Sequence, residues 1–293
     1  MVNHFFKLKT YLSKMDVNDI QKLEERCVQF DPVALKLELE YKTADLQETS
    51  ELLMENNEFM YYAGDRLVGY LGIGSFGGST PELNGMVDPE FRNKGIFKAL
   101  MRLATDECRK RGLGWILLLS DRASTSGQAF IKSIGSTFHH TEFEMHIHSM
   151  ESEIQPTGIL LRKATNFDAN EVARQNSIYF NDSDEEHNWI MPETEEKRGM
   201  RIFIAEFEGN IVGKTHLQIT GAEGSIFGLG ILPEFRGLGL GRKLLTESIR
   251  QLYEMNASSI MLQVESENAN ALNLYKSCGF EETSVMDYYK LDL

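Results

Sequence analysis

The tetrapeptide "PEFR" occurs twice, at 89–92 and 233–236, and the two copies lie 233 − 89 = 144 residues apart. The same offset carries "LVG" at 67–69 onto "IVG" at 211–213, and "KSIG" at 132–135 onto "KSCG" at 276–279. Three separated matches at one spacing mark an internal repeat, which constrains the architecture before any single element does. Upstream, "DVNDI" (16–20) matches "DANEV" (168–172) at 168 − 16 = 152, so the first copy carries 152 − 144 = 8 additional residues in its early helical region. The 293 residues therefore divide into two domains of ordinary size, 1–150 and 157–293. The join falls near "HSMESEIQPTG" (148–158), where Pro156 and Gly158 supply turn residues.

Within the second copy, "GILLRKA" reads as a first strand and "TNFDANEVARQNSIYF" as a helix capped by Thr165 or Asn166. "RIFIAEFEG" and "NIVGKTHLQITG" read as a hairpin turning at Gly209-Asn210. "EGSIFGLGIL" is a fourth strand, a glycine-rich turn follows, and "GRKLLTESIRQLYEMN" has helical spacing. "SSIMLQVE", "NANALNLYKSCG" and "SVMDYYKL" then read as strand, helix and final strand. The order is α/β, with a strand entering the glycine turn and a helix leaving it.

That turn, "RGLGLG", places Gly237, Gly239 and Gly241 at a helix start, where each glycine costs roughly 1 kcal/mol relative to alanine. A helix N-terminus exposes unsatisfied N–H groups and binds anions, and glycines let those groups close on phosphate oxygens. Two common phosphate loops fail. A Walker loop requires Ser or Thr after the lysine, and Lys243 is followed by Leu244; the dinucleotide fingerprint requires G-x-G-x-x-G, whereas the spacing here is G-x-G-x-G.

"RGLGLG" resembles the [QR]-x-x-G-x-[GA] signature of the GCN5-related N-acetyltransferases (GNAT), in its usual place between fourth strand and third helix. "NANALNLYKSCGFEE" resembles the second half of the same family, and the resemblance covers 158–293 and, through the repeat, most of 1–150. It implies two tandem domains, each a mixed, mostly antiparallel twisted sheet flanked by helices. It also implies acetyl-CoA as cosubstrate, its pyrophosphate on the backbone of Arg236, Gly237, Leu238, Gly239, Leu240, Gly241 and Arg242. The pantetheine arm would add to the free strand edge at Leu229, Gly230 and Ile231. Arg242 and Lys243 also read as solvated helix surface.

In the family, the tyrosine matching Tyr275 is the general acid for the departing thiolate, and a backbone N–H near Ile231 polarises the carbonyl. Asn268 would cap its helix or touch the pantetheine, capping being the simpler account. Where some members carry a basic glutamate on the fourth strand, this chain has Ser225; Glu223, two residues earlier on the same face, is the weaker substitute. At the offset of 144 the first copy has Ile131 for Tyr275, Ser124 for Asn268 and Phe97 for Gly241. It reads as a degenerate, non-catalytic domain with a scaffolding, substrate-shaping or regulatory role. A second candidate CoA site there comprises Val87, Arg92, Asn93, Lys94, Gly95 and Ile96.

Composition excludes several rivals. Residues 1–150 carry 17 Lys and Arg against 21 Asp and Glu, and 151–293 carry 13 against 23, which leaves no basic footprint for nucleic acid. No apolar run is long enough for a membrane span, and no signal peptide is visible at the start; together with three scattered cysteines (Cys27, Cys108, Cys278), this points to the cytoplasm. "HHTEFEMHIH" (139–148) alternates as a strand with Glu142, Glu144, His146 and His148 on one face, an ordinary solvated face rather than a metal site. "NDSDEEHNWIMPETEE" (181–196) would wall the acceptor site, its acidity favouring a cationic amine or basic peptide end, with Trp189 stacking on the acceptor or anchoring the loop. The expected function is acetyl transfer from acetyl-CoA to a primary amine; the alternative is a non-catalytic acyl-CoA sensor. The sequence leaves acceptor identity and oligomeric state open.

Overall fold

The computed structural model describes residues 3–39, 42–43, 55–74, 80–148, 157–180 and 189–293. The chain forms two compact units, Met1–Thr141 with Ser284–Leu293, and Glu142–Thr283.

Unit 1 contains β1 (His4–Lys9), α1 (Lys14–Phe30), β2 (Glu58–Ala63), β3 (Arg66–Gly74), β4 (Glu82–Val87), α2 (Ile96–Lys110), β5 (Trp115–Asp121) and α3 (Thr125–Ser133). Ser13 opens α1 in a capping box with Asp16, satisfying N–H groups that a helix start leaves orphaned. Its sheet runs β1-β2-β3-β4-β5-β12, antiparallel except for a short parallel contact between β4 and β5. Helix α1 buries Ile20 and Leu23 against Met60 and Tyr62 on one face. Helix α2 buries Leu100 and Ala104 against Val68 and Ile116 on the other.

β6 (Thr137–Ile147) leads towards unit 2, which contains β7 (Leu160–Lys163), α4 (Ala169–Phe180), α5 (Pro192–Lys197), β8 (Met200–Phe207), β9 (Asn210–Thr220), β10 (Glu223–Ile231), α6 (Leu240–Glu254), β11 (Ser259–Glu265) and α7 (Ala269–Ser277). β12 (Glu281–Asp292) ends the chain. The sheet of unit 2 runs β6-β11-β10-β9-β8-β7, with β10–β11 its one parallel pair. Leu245, Ile249 and Leu252 of α6 pack on Leu217, Ile226 and Ile260. Thr165 caps the single 3-10 turn before α4, in a capping box with Asp168. The β8–β9 turn falls one residue earlier than expected, at Glu208-Gly209; both have positive φ (51° and 80°), as a two-residue hairpin turn of this hand demands.

The units differ from the sequence spans 1–150 and 157–293 at their last strands. β6 and β12 are equivalent in the repeat (281 − 137 = 144). Residues 142–147 of β6 pair with β11 in unit 2, and 286–292 of β12 pair with β5 in unit 1. Each sheet is thus completed by the final strand of the other copy. Among the described residues, no helix is long and apolar enough to cross a membrane.

Candidate functional site

The glycine turn of unit 2 follows a strand that separates from its parallel neighbour. β10 pairs with β11 only from Glu223 to Ile226, so Phe227 to Ile231 have a free edge on that side. On the other side β10 stays bonded to β9, with an irregularity between Phe227 and Gly230: Phe227 lies opposite His216 and Gly230 opposite Lys214. Two residues, Gly228 and Leu229, thus face the single Thr215, the signature of a β-bulge. Gly228 adopts φ 53°, a conformation that suits glycine. Leu232 donates its N–H to the Val212 carbonyl at 2.9 Å. Since N–H direction alternates along a strand, the N–H of Ile231 points to the free edge.

Beyond Ile231 the chain turns through Pro233–Phe235 and enters α6. Arg236 donates from Nε to the Ile231 carbonyl at 3.0 Å, tying the turn to the strand end. Gly237 and Gly239 have φ 78° and 74°, so the turn itself favours glycine there. Gly241 is different. It has no positive φ, and a Cβ built on it would meet only Leu274, at an ordinary 3.6 Å. Among the described residues nothing explains a glycine in the first turn of α6, where side chains are helix-favouring and N–H groups are unpaired.

Tyr275 lies on α7, 8% exposed, with its ring 6.1 Å from that of Phe280. Burial pushes its phenol up to about 12, further into the protonated form it already has at neutral pH. Asn268 caps α7, its Oδ1 accepting from the Ala271 N–H at 3.2 Å. Arg242 is bound to the far end of the same helix, donating to the Ser277 carbonyl (3.2 Å) and hydroxyl (2.6 Å). Lys243 sits over the Phe207 ring. Glu223 stands where β10 and β11 are still paired, four residues or about 13 Å of strand from Phe227. Its carboxylate accepts from His146 at 3.1 Å, which raises the imidazole above its usual range. The structure therefore brings Leu229–Ile231 and the turn together at one strand end and places Glu223 at the other. Of the acidic stretch, 181–188 lie outside the described residues; Trp189 is exposed. Among the described residues, no group of three His, Cys, Asp or Glu side chains converges as a metal site.

Lys214 and His216 of β9 are candidates that the structure adds to those of the sequence. Both side chains are buried. Lys214 Nζ lies 3.1 Å from His216 Nε2 and donates to the Gly228 carbonyl at 3.1 Å. Its ammonium is 5.4 Å from the centre of the Tyr179 ring, and that ring leaves no room for a Cβ on Gly230. Burial lowers Lys214 to about 7 and, aided by Lys214, holds His216 well below its usual range. The alternation of "KTHLQ" offered a signal, but polar alternation reads as a solvated face until a helix such as α4 is known to cover it.

Unit 1 repeats the turn and the parting of strands, β4 pairing with β5 only at Glu82 and Leu83, but without the bulge. Asn93 and Gly95 have φ 59° and 78° in place of Gly237 and Gly239, and Arg92 Nε donates to the Val87 carbonyl at 3.1 Å. The Arg92 guanidinium pairs with Asp31. Yet β3 and β4 pair in unbroken register from Gly69–Val87 to Gly74–Glu82, with no bulge. Where β4 parts from β5 lies a cavity of about 70 Å³, lined by Asn84, Phe97, Ser120, Asp121 and Ile131 among others. Phe97, edge-on to Phe130 at 4.8 Å, and Ile131 take the places of Gly241 and Tyr275. Asp121 accepts the Ala34 N–H at 2.8 Å and Asn84 donates to the Lys36 carbonyl at 2.7 Å, so residues 34–36 run along this cleft.

The model of the acetyltransferase (GNAT) family matches the chain twice, over 19–135 and 169–280. A mycothiol acetyltransferase of Mycobacterium marinum is 26% identical over 316 aligned positions, covering 97% of this chain and 96% of that protein. Among solved structures, a GCN5-related N-acetyltransferase from Sphaerobacter thermophilus superposes with a TM-score of 0.76 at 19% identity, covering 98% of this chain and 95% of its own. A tandem GNAT protein from the clavulanic acid biosynthesis pathway gives 0.75 at 17% identity, covering 99% and 98%. These two likenesses establish the fold, with two tandem domains.

Proposed function

Because the chain belongs to the GNAT family of acetyltransferases, we propose that it transfers the acetyl group of acetyl-CoA to a primary amine, with the chemistry in unit 2. Acetyl-CoA would supply an activated thioester. The reading rests on one observation above all: the strand edge that opens beside a bulge, runs into the glycine turn and ends at Gly241, whose missing side chain has no cause among the described residues. The pyrophosphate would lie on the N–H groups of Arg236, Gly237, Leu238, Gly239, Leu240, Gly241 and Arg242, and the pantetheine along Leu229, Gly230 and Ile231. The Ile231 N–H would stabilise charge on the thioester oxygen. Tyr275, a buried phenol that carries its proton, would donate to the sulfur as the amine displaces it.

Unit 1 lacks the bulge and has Ile131 at the position of the phenol, which supports a non-catalytic role for it; Val87 and Arg92–Ile96 would be its CoA-binding backbone if it holds a second molecule. Since the relative from Mycobacterium marinum is named for mycothiol, a small-molecule amine is the acceptor class we favour over a peptide.

Calorimetric titration with acetyl-CoA tests this. One site per chain is expected, abolished in Gly241→Glu, where bulk and negative charge meet the phosphates. Tyr275→Phe should keep the binding heat and lose transfer, by about 10²-fold or more. Two sites would place CoA in unit 1 as well. Absence of binding would overturn the acetyltransferase reading in favour of another ligand for the turn.

A further inference from the structure

The repeat allows the two units to be compared residue by residue at the level of the bulge. At the offset of 144, Tyr70 stands for Lys214 and Gly72 for His216. Tyr70 reaches over Gly72 and donates from its hydroxyl to Glu58 at 2.5 Å, and Glu58 in turn faces Lys42 at 3.5 Å. The buried polar group of unit 1 is thus a carboxylate matched by a lysine, beneath a strand without a bulge. In unit 2 a lysine lies fully buried with no carboxylate against it among the described residues, beneath a strand with one. A buried amine without a carboxylate is costly, and among the described residues Lys214 is one; a methionine would fill its space without that cost. What the lysine adds is the hydrogen bond to Gly228, the left-handed residue of the bulge. The fit is close, since a Cβ on Gly228 would come within 3.0 Å of Lys214 Nζ and 3.4 Å of the His216 ring.

We propose that Lys214 is a positioning residue of the acyl-transfer site: held by His216, it fixes the Gly228 carbonyl and so keeps the bulge that turns the edge of β10 towards the thioester. This rests on the reading of unit 2 as that site. Among the described residues the groups facing Lys214 are few. On β9 there is His216, kept neutral by burial; on α4 the Tyr179 phenol, pushed above its usual range first by burial and donating to Gln175 at 2.8 Å, and Phe180; on β8, opposite in the ladder, Ile204. As a neutral amine, Lys214 spends its two N–H groups on Gly228 and His216 and adds no charge. As an ammonium it sets a positive charge near the place where an attacking amine becomes cationic, so the neutral form is the productive one.

The test is Lys214→Met in the full chain, with two readouts. Hydrogen exchange of the segment 226–232 should quicken by about tenfold while α6 is unchanged. Release of CoA thiol from acetyl-CoA, with spermidine as the probe amine, should fall about 10- to 100-fold. The wild-type rate should also climb more steeply with pH below 7 than above it, and the variant should lose that break while keeping the slope from spermidine itself. Unchanged exchange with an unchanged pH profile would overturn the proposal. If the wild-type chain binds no acetyl-CoA, the underlying reading of unit 2 fails. The exchange result then still decides whether Lys214 holds the bulge. Should Lys214→Met not fold, His216→Leu gives the same two readouts.

Discussion

Lys214 makes a second prediction at the scale of one residue, about stability rather than rate. Its folded-state value, lowered by burial from 10.5 to about 7, lies below that of the unfolded chain. Between pH 7 and 10.5 the unfolded chain therefore holds a proton that the folded chain has released, and folding stability rises with pH across that window. Below pH 7 both states are charged and the penalty is constant. Lys214→Met removes the penalty, so the variant should be the more stable protein at pH 7. Its advantage should shrink by about 2 kcal/mol by pH 9, because one proton released on folding is worth about 1.4 kcal/mol for each step of one in pH. Urea unfolding of both proteins at pH 7 and pH 9 measures this. An advantage that does not change with pH would mean that Lys214 reaches solvent or a carboxylate.

At the scale of an element, the bulge in β10 separates two strands that the sequence presents as equals. "MVDPEFR" and "GILPEFR" align without a gap, and the ladders agree there, Gly69 with Val87 and Gly213 with Ile231. Three residues upstream the registers part. Deleting Gly228 should restore to β10 the unbroken pairing of β4, leaving the fold intact with a melting temperature within a few degrees of wild type and abolishing transfer. Retained transfer would show that the opened edge, not the bulge, is what matters. Little of this was legible beforehand. The strands, helices and the glycine turn were, because periodicity and turn chemistry are local. Register is a property of two strands, and "SIFGLGIL" alternates acceptably with or without an extra residue. Burial of Lys214 and His216 is likewise conferred by α4, which no pattern within β9 reports. Glu223 was placed by its strand face alone; which end of β10 opens is decided by its pairing with β11.

For the whole molecule, the repeat disclosed two domains, yet could not disclose which final strand completes which sheet, since β6 and β12 sit at the same offset and satisfy the same pattern. Their side chains discriminate. In unit 1, Asp287 accepts from Arg122 at 2.6 Å and from Thr141 at 2.7 Å; burial opposes its ionisation, but these bonds prevail and hold its carboxyl below the usual range. Tyr288, beside it, is fully buried and its hydroxyl meets Lys36 at 2.6 Å. At the offset of 144, β6 would bring Phe143 and Glu144 to those two places, leaving Arg122 without its carboxylate and burying a glutamate where an aromatic ring packs. Substituting one final strand for the other would cost several kcal/mol, a large share of what a domain has. Residues 1–150 produced alone should accordingly be unstable, whereas 1–150 and 151–293 produced together should assemble and recover the binding of acetyl-CoA. Asp287→Ala, a substitution in the second copy, should lower the stability of the first unit by about 1–3 kcal/mol, seen as faster hydrogen exchange in β5 with β10 unaffected. If 1–150 folds alone to full stability, its own β6 serves as well as β12, and the exchange is an accident of linkage rather than a specification written into Asp287 and Tyr288.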